Sequence, residues 1–198
     1  MCFEVEYCYT HSTKKRESRA FMEYRRITEE TKDDLQLPNE PFELFGRLLV
    51  TRKNNQWSYE SELFQEVDQM TFPNEAYDFD QIKKEGFALG AYKDGECVGL
   101  AIFQHHWNKY MLLQDLKVNR DFRKLGSAGE LIKKGQQYAS DFGYKGIYTI
   151  SQDNNLAACK FYLKQGFEIG GLNTRDYQHT LQEGKADVYF YLENSQSL

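Results

Sequence analysis

The segment spanning residues 115–162 restricts the folds open to this chain more than any other. It reads in order as strand, glycine-containing turn, long amphipathic helix, strand and second helix. The turn is the run Arg123, Lys124, Leu125, Gly126, Ser127, Ala128, Gly129, placed directly after the apolar residues Leu112, Leu113, Leu116 and Val118 and directly before a helix. Small residues there let the backbone curl so that successive N–H groups converge, and the helix N-terminus adds its partial positive charge. A pyrophosphate is the kind of anion such a turn suits. The plain alternative is an ordinary strand-to-helix turn with one glycine at positive φ.

Beyond the turn, Leu125, Ala128, Leu131, Ile132, Tyr138, Ala139 and Phe142 recur at spacings of three and four, which predicts one buried helical face, with Gly143 at the C′ position. Residues 144–150 are short and β-rich, and Asn154 or Asn155 can cap a second helix running to about Gln165 and Gly166.

Upstream, residues 1–26 lack sustained periodicity and carry a polar run over 10–19, so they read as an N-terminal extension, poorly ordered or an over-long gene start, with an ordered added strand as the alternative. A single domain covers 27–198. It starts with a helix from Ile27 that breaks near Pro38 and Pro41, followed by a strand over 42–51 and a turn at Asn54 and Asn55 before Trp57. Residues 87–92 and 97–103 flank Asp94-Gly95, a strong hairpin signal. Residues 110–118 then form the strand leading to the turn, and strands at 167–171 and 186–192 complete the sheet.

A length of 198 residues suits one domain with a real core. The four cysteines, Cys2, Cys8, Cys97 and Cys159, lack metal spacing and fit reduced thiols in a reducing cytoplasm. His105, His106 and His179 have no ligand-spaced partners, so no metal is expected. No apolar run reaches the roughly 18 residues of a membrane helix. A net charge of −5 lacks the basic footprint that nucleic-acid binding needs.

The pattern Arg123-x-x-Gly126-x-Ala128 after a strand, followed by Asn155-x-x-Ala158-x-x-x-Tyr162 and Gly166-Phe167, resembles the acetyl-CoA-binding signature of the GNAT N-acetyltransferases. The runs beginning at Asn39, His106 and Ser151 are similar to segments of bacterial streptothricin acetyltransferases, and that likeness spans about residues 39–193. The resemblance implies an α/β fold: a mixed, mostly antiparallel sheet flanked by helices, with two central parallel strands splayed apart. It also implies acetyl-CoA as cosubstrate, a small cationic amine as acceptor, and homodimerisation, although no stretch identifies an interface.

By the same resemblance, backbone groups of Leu116 and Val118 pair with the pantetheine arm, and Lys117 between them counts among the cofactor-binding positions. The N–H groups of Arg123, Lys124, Leu125, Gly126, Ser127 and Ala128 hold the pyrophosphate, and Asn155 contacts the cofactor. Lys124 and Leu125 stand where many relatives carry Gly or Gln, and Ala128 replaces a common Gly. Tyr162 is the implied general acid for the leaving thiolate, a role that depends on placement because a phenol has a reference pKa of about 10. Its alternative is a core ring beside Phe161, and for Asn155 the alternative is a plain N-cap.

Freeing the lone pair of an alkylamine at pH 7 costs about 4.6 kcal/mol, so the acceptor needs a proton acceptor nearby. Asp115 matches an acid of the streptothricin acetyltransferases and can fill that role; a structural Asp near a strand bulge is the other reading. Residues 60–80 carry seven acids and no Lys or Arg, whereas 117–134 carry six basic residues against two acids. That polarity suits an anionic cofactor and a cationic acceptor, or simply two solvated faces. Acetylation of a β-lysine amine of streptothricin, giving antibiotic resistance, is the leading expectation. A polyamine, another small amine or a protein amino group remains open as acceptor. A non-catalytic acetyl-CoA-binding regulator is the rival of another class, and it sits poorly with the presence of both Tyr162 and Asp115.

Overall fold

The computed structural model describes residues 21–194. Its core is a seven-stranded sheet in the order β1-β4-β5-β6-β7-β9-β8, built from β1 (Glu23–Arg26), β4 (Gly86–Lys93), β5 (Glu96–Gln104), β6 (Tyr110–Val118), β7 (Gly146–Gln152), β8 (Glu168–Asn173) and β9 (Asp187–Glu193). Only β6 and β7 pair in parallel; every other neighbour in the sheet is antiparallel. The expected α/β class with one central parallel pair is therefore the fold observed. Parallel neighbours need a crossover, and α2 (Ser127–Asp141) supplies it.

Two boundaries differ from the sequence expectation. The segment assigned to an extension contributes β1, whose Tyr24 and Arg25 lie opposite Ala91 and Gly90 of β4. Four residues are too short for a periodic signal, and β1 exists because β4 offers an open edge; residues 1–20, with Cys2 and Cys8, lie outside the described residues. In place of a helix from Ile27, the chain forms 3-10 turns over Glu29–Gln36, closed by Leu35 packing on Ile27, Leu100 and Ile102.

A separate two-stranded hairpin joins β2 (Phe42–Lys53) to β3 (Gln56–Met70), with Asn54 and Asn55 both at positive φ in the expected turn. Asp94 and Gly95 likewise turn β4 into β5 with positive φ, as a type I′ hairpin requires. The short helix α1 (Phe79–Glu85) is capped by Asp78, which accepts from the Gln81 N–H.

Helix α2 packs Leu131, Ile132 and Ala139 onto Phe87, Ala101 and Phe103. Gly135 permits this close approach, because a Cβ there would stand 2.0 Å from the Phe103 ring. Leu125 and Phe142, expected on the buried face, are exposed: Leu125 precedes the helix and Phe142 is its C-cap. The second crossover helix, α3 (Leu156–Lys164), packs Leu156, Cys159 and Tyr162 into the same core. Cys97 and Cys159 are free and buried.

Candidate active site

The parallel pairing of β6 with β7 is brief. It covers Tyr110–Gly146, Met111–Ile147 and Leu112–Tyr148, after which β6 follows β5 and β7 follows β9. The Thr149 hydroxyl, donating to the Leu113 carbonyl at 3.0 Å, is the last link before the strands diverge. The gap opens into a cleft of about 1260 Å³ whose walls include Asp115, Lys117, Gly126, Thr149, Asn155 and Tyr162. The splay thus brings the candidate residues from both halves of the motif to one cavity.

A β-bulge decides which way Asp115 points. Ile102 of β5 faces Asp115 and Phe103 faces Leu113, leaving Gln114 as the extra residue. Because side chains alternate along a strand, one inserted residue turns everything after it to the other face. Leu113 and Leu116 pack into the core under α2, whereas Asp115 and Lys117 lie opposite Ile102 and Leu100, on the face of Leu35 and Ile82. The acid is thus presented on the face of the sheet away from α2 and the phosphate turn.

The backbone of β6 beyond the splay is the natural partner for an extended ligand arm. Asn119 donates to the Val98 carbonyl. By the alternation of an antiparallel ladder, Leu116 and Val118 therefore turn their N–H and C=O groups into the cleft. The Val118 carbonyl already accepts from Arg123 Nε at 2.8 Å, which leaves the Leu116 groups and the Val118 N–H for a ligand.

In the phosphate turn, Lys124 and Gly126 adopt positive φ, and Gly126 is the N-cap of α2. Nothing lies within 4 Å of a Cβ built on Gly126, so the cradle is open there. Glu130 makes the first intrahelical bond, to the Gly126 carbonyl. The N–H groups of Ser127, Ala128 and Gly129 consequently have no partner within the helix. Such donors fit a diphosphate.

Arg123 contributes differently: its N–H bonds the Arg120 carbonyl, and its guanidinium holds Glu40 at 2.9 Å and the Pro41 carbonyl at 3.3 Å. These bonds tie the turn to the chain entering β2. Glu40 also accepts from the Arg120 N–H, a role with no sequence signal because the partners lie 80 residues apart. Ser127 is buried, with its hydroxyl turned to Tyr24 of β1 at 3.4 Å, so it offers an N–H to the cleft and not a hydroxyl. Lys124 and Leu125 are exposed at the rim.

Across the cleft, Asn155 caps α3, its Oδ1 accepting from the Ala158 N–H at 3.1 Å. The cap geometry uses the oxygen and leaves the Nδ2 donors for a ligand. Tyr162 stands both in the core and at the cleft. Its ring sits among Phe161, Phe167 and Phe190, yet the residue also lines the cleft beside Thr149. Burial pushes the phenol up to about 12, opposed by a hydrogen bond with Thr149. It stays a protonated donor at neutral pH.

On the face of the sheet away from α2, Lys117 Nζ lies 3.1 Å from Asp115 Oδ2, 3.0 Å from Glu75 Oε2 and 3.4 Å from Asn39 Oδ1. The Tyr77 hydroxyl donates to the same Asp115 oxygen at 3.2 Å. Burial raises the Asp115 carboxyl above the usual aspartate range, with Lys117 pulling the other way. Burial also raises Tyr77, reinforced by the charge of Asp115. For Glu75 burial is outweighed by its bonds to Lys117, its own backbone and Asn39, and its carboxyl falls below the ordinary value. The Lys117 side chain therefore serves the carboxylates, while its strand position lies beside the backbone groups turned to the cleft.

The acidic stretch does not act as one surface. Of its seven members Glu75 alone lines the cleft; Glu60, Glu62, Glu66 and Asp68 lie exposed on β3, and Asp78 and Asp80 belong to the start of α1. The run is dispersed because β3 carries four of these acids away from the sheet along the separate hairpin. His105 and His106 gather around the Tyr144 hydroxyl instead.

The chain has relatives among known proteins. The profile described as the acetyltransferase (GNAT) family matches residues 52–167. Streptothricin acetyltransferase A of Bacillus subtilis (strain 168) is 30% identical over 167 residues, covering 84% of this chain and 96% of that protein. Streptothricin acetyltransferase of Escherichia coli is 29% identical over 113 residues, 57% of this chain and 65% of that one. A Bacillus anthracis str. Ames protein assigned as a streptothricin acetyltransferase, solved in complex with acetyl coenzyme A, matches with a TM-score of 0.79 at 26% identity, covering 88% of this chain and 99% of that one. A nourseothricin acetyltransferase shares the fold, with a TM-score of 0.72 at 19% identity over 87% of this chain and 98% of that one. On the profile match and on the likeness to the Bacillus subtilis protein, this chain belongs to the acetyltransferase (GNAT) family of acyltransferases.

Proposed function

We propose that this protein uses acetyl-CoA to acetylate an amine on the β-lysine part of streptothricin, and so blocks the antibiotic. The observation that carries this reading is the extent of the likeness to streptothricin acetyltransferase A, which runs over 96% of that protein. Acceptor loops diverge faster than cofactor loops. A likeness that takes in the β2–β3 hairpin and residues 71–78, as well as the phosphate turn, therefore favours a shared acceptor class.

In this reading the bound donor supplies an activated acetyl thioester, and the chain supplies placement and proton handling. Leu116 and Val118 backbone groups align the pantetheine arm, and the N–H groups of Ser127, Ala128 and Gly129 hold the diphosphate with the helix N-terminus behind them. Asn155 adds amide donors. Asp115, raised by burial, takes a proton from the acceptor ammonium while the nitrogen keeps its electron pair. Tyr162 gives its phenolic proton to the departing thiolate from the other wall.

The Glu75 carboxylate adds negative charge for a cationic acceptor, and the free thiols Cys97 and Cys159 suit a cytoplasmic setting. The test is coenzyme A release by purified protein with streptothricin, an aminoglycoside, spermidine and a lysine peptide as separate acceptors. Streptothricin should give the highest kcat/KM; release only with another acceptor would remove it as the substrate.

A further inference from the structure

We propose that Lys117 is a positioning residue for acetyl transfer: its ammonium aims the Asp115 carboxylate into the cleft and pins both ends of the β2–β3 hairpin beside it. This rests on Asp115 as the proton acceptor in the function proposed above. In the sequence Lys117 counts only as a cofactor-binding position, where a lysine suggests a phosphate partner. Its side chain does otherwise. It is 12% exposed and reaches two carboxylates and an amide oxygen on the face of the sheet away from α2.

The partners come from three places in the chain. Asp115 lies on Lys117's own strand, Asn39 precedes β2, and Glu75 follows β3. Asn39 and the residues after β3 are also clasped directly, since the Asn39 side-chain amide donates to Glu75 Oε2 at 2.9 Å and to the Pro73 carbonyl at 2.8 Å, and its backbone N–H donates to Asn74 Oδ1 at 2.7 Å. One ammonium thus joins the entry and exit of the hairpin to the central strand. The Tyr77 ring lies 5.6 Å from the same ammonium, within cation–π range.

The groups facing Asp115 decide its charge state. Lys117 faces it from β6, Glu75 and the Tyr77 hydroxyl from residues 71–78, and Tyr162 from α3. Of these only Lys117 is a cation. Burial and the Glu75 charge favour the neutral acid, whereas Lys117 and the Tyr77 hydrogen bond favour the carboxylate that can accept a proton. An opposite charge at this distance lowers a carboxyl by about 1–3 pH units. Lys117 therefore opposes the burial that favours the neutral acid and holds the carboxylate form of Asp115.

The experiment is the pH profile of kcat/KM for wild type and for Lys117→Met, Lys117→Arg, Glu75→Gln and Asp115→Asn, each checked for a native melting curve. Lys117→Met should move the acid limb up by about 1–3 pH units, and Lys117→Arg should restore most of it. Glu75→Gln should move the limb down, because it removes a like charge and leaves Lys117 to Asp115; that opposite sign decides the matter even where Lys117→Met fails to fold. A limb removed by Asp115→Asn but unmoved by Glu75→Gln and Lys117→Met overturns this inference alone. A limb that survives Asp115→Asn overturns the base assignment and the inference with it.

Discussion

Thr149 donates its hydroxyl hydrogen to the Leu113 carbonyl at the point where β6 and β7 part. The bond sits in a buried position and lies beside Tyr162, whose phenol also bonds Thr149. It fixes the apex of the cleft and the surroundings of the Tyr162 phenol together.

Replacing Thr149 with valine keeps the shape and removes the donor, leaving the Leu113 carbonyl unpaired in the interior. Such a loss costs about 1–3 kcal/mol. Urea unfolding of Thr149→Val should show a lower midpoint with an unchanged slope; an unchanged midpoint would mean that water replaces the hydroxyl.

Tyr162→Phe keeps the ring against Phe167 and Phe190 and removes the phenolic proton. The maximal rate should fall by about 10²-fold or more while acetyl-CoA affinity stays near wild type. With the phenol raised to about 12, the wild-type rate should not decline through loss of this proton until strongly alkaline pH. A wild-type rate in the variant would return Tyr162 to the core.

Gly126→Glu places a carboxylate in the open cradle at the N-terminus of α2, the proposed seat of the diphosphate. Like charges at that distance repel strongly. Calorimetric titration with acetyl-CoA should show no binding, and undiminished affinity in the folded variant would remove the turn from the cofactor site.

Glu75→Gln should raise the KM for a cationic acceptor, whereas Glu60→Gln and Glu66→Gln should leave it unchanged, since those two lie exposed on β3 outside the cleft. Added salt should mimic Glu75→Gln, because partly exposed charges are screened over about 8–10 Å. Equal effects of all three substitutions would point to a diffuse field in place of one carboxylate.

The legible parts of this structure were local. Gly126, Gly143, Asp94-Gly95 and Asn54-Asn55 each declare a backbone geometry that few other residues adopt, and all of them turn where expected. The strand–turn–helix–strand–helix order followed from periodicity, and the family signature brought Tyr162 and Asn155 to the cleft. What could not be read was set by long-range partners. The four residues of β1 depend on the edge of β4, the Gln114 bulge appears only when β6 is laid on β5, and the Arg123–Glu40 pair joins residues 83 positions apart. A charge count over residues 60–80 carried no information on which acids would face the cleft, because the path of β3 and the start of α1 take the other six away from it.

The most direct test of the central claim is a competition in one vessel: streptothricin, spermidine and a lysine peptide at equal concentration with limiting acetyl-CoA, and the products separated and weighed by mass spectrometry. The ratio of acetylated products gives the ratio of kcat/KM without separate kinetics. The account predicts that nearly all the acetyl label lies on a β-lysine amine of streptothricin; unmodified streptothricin beside an acetylated polyamine or peptide would contradict it.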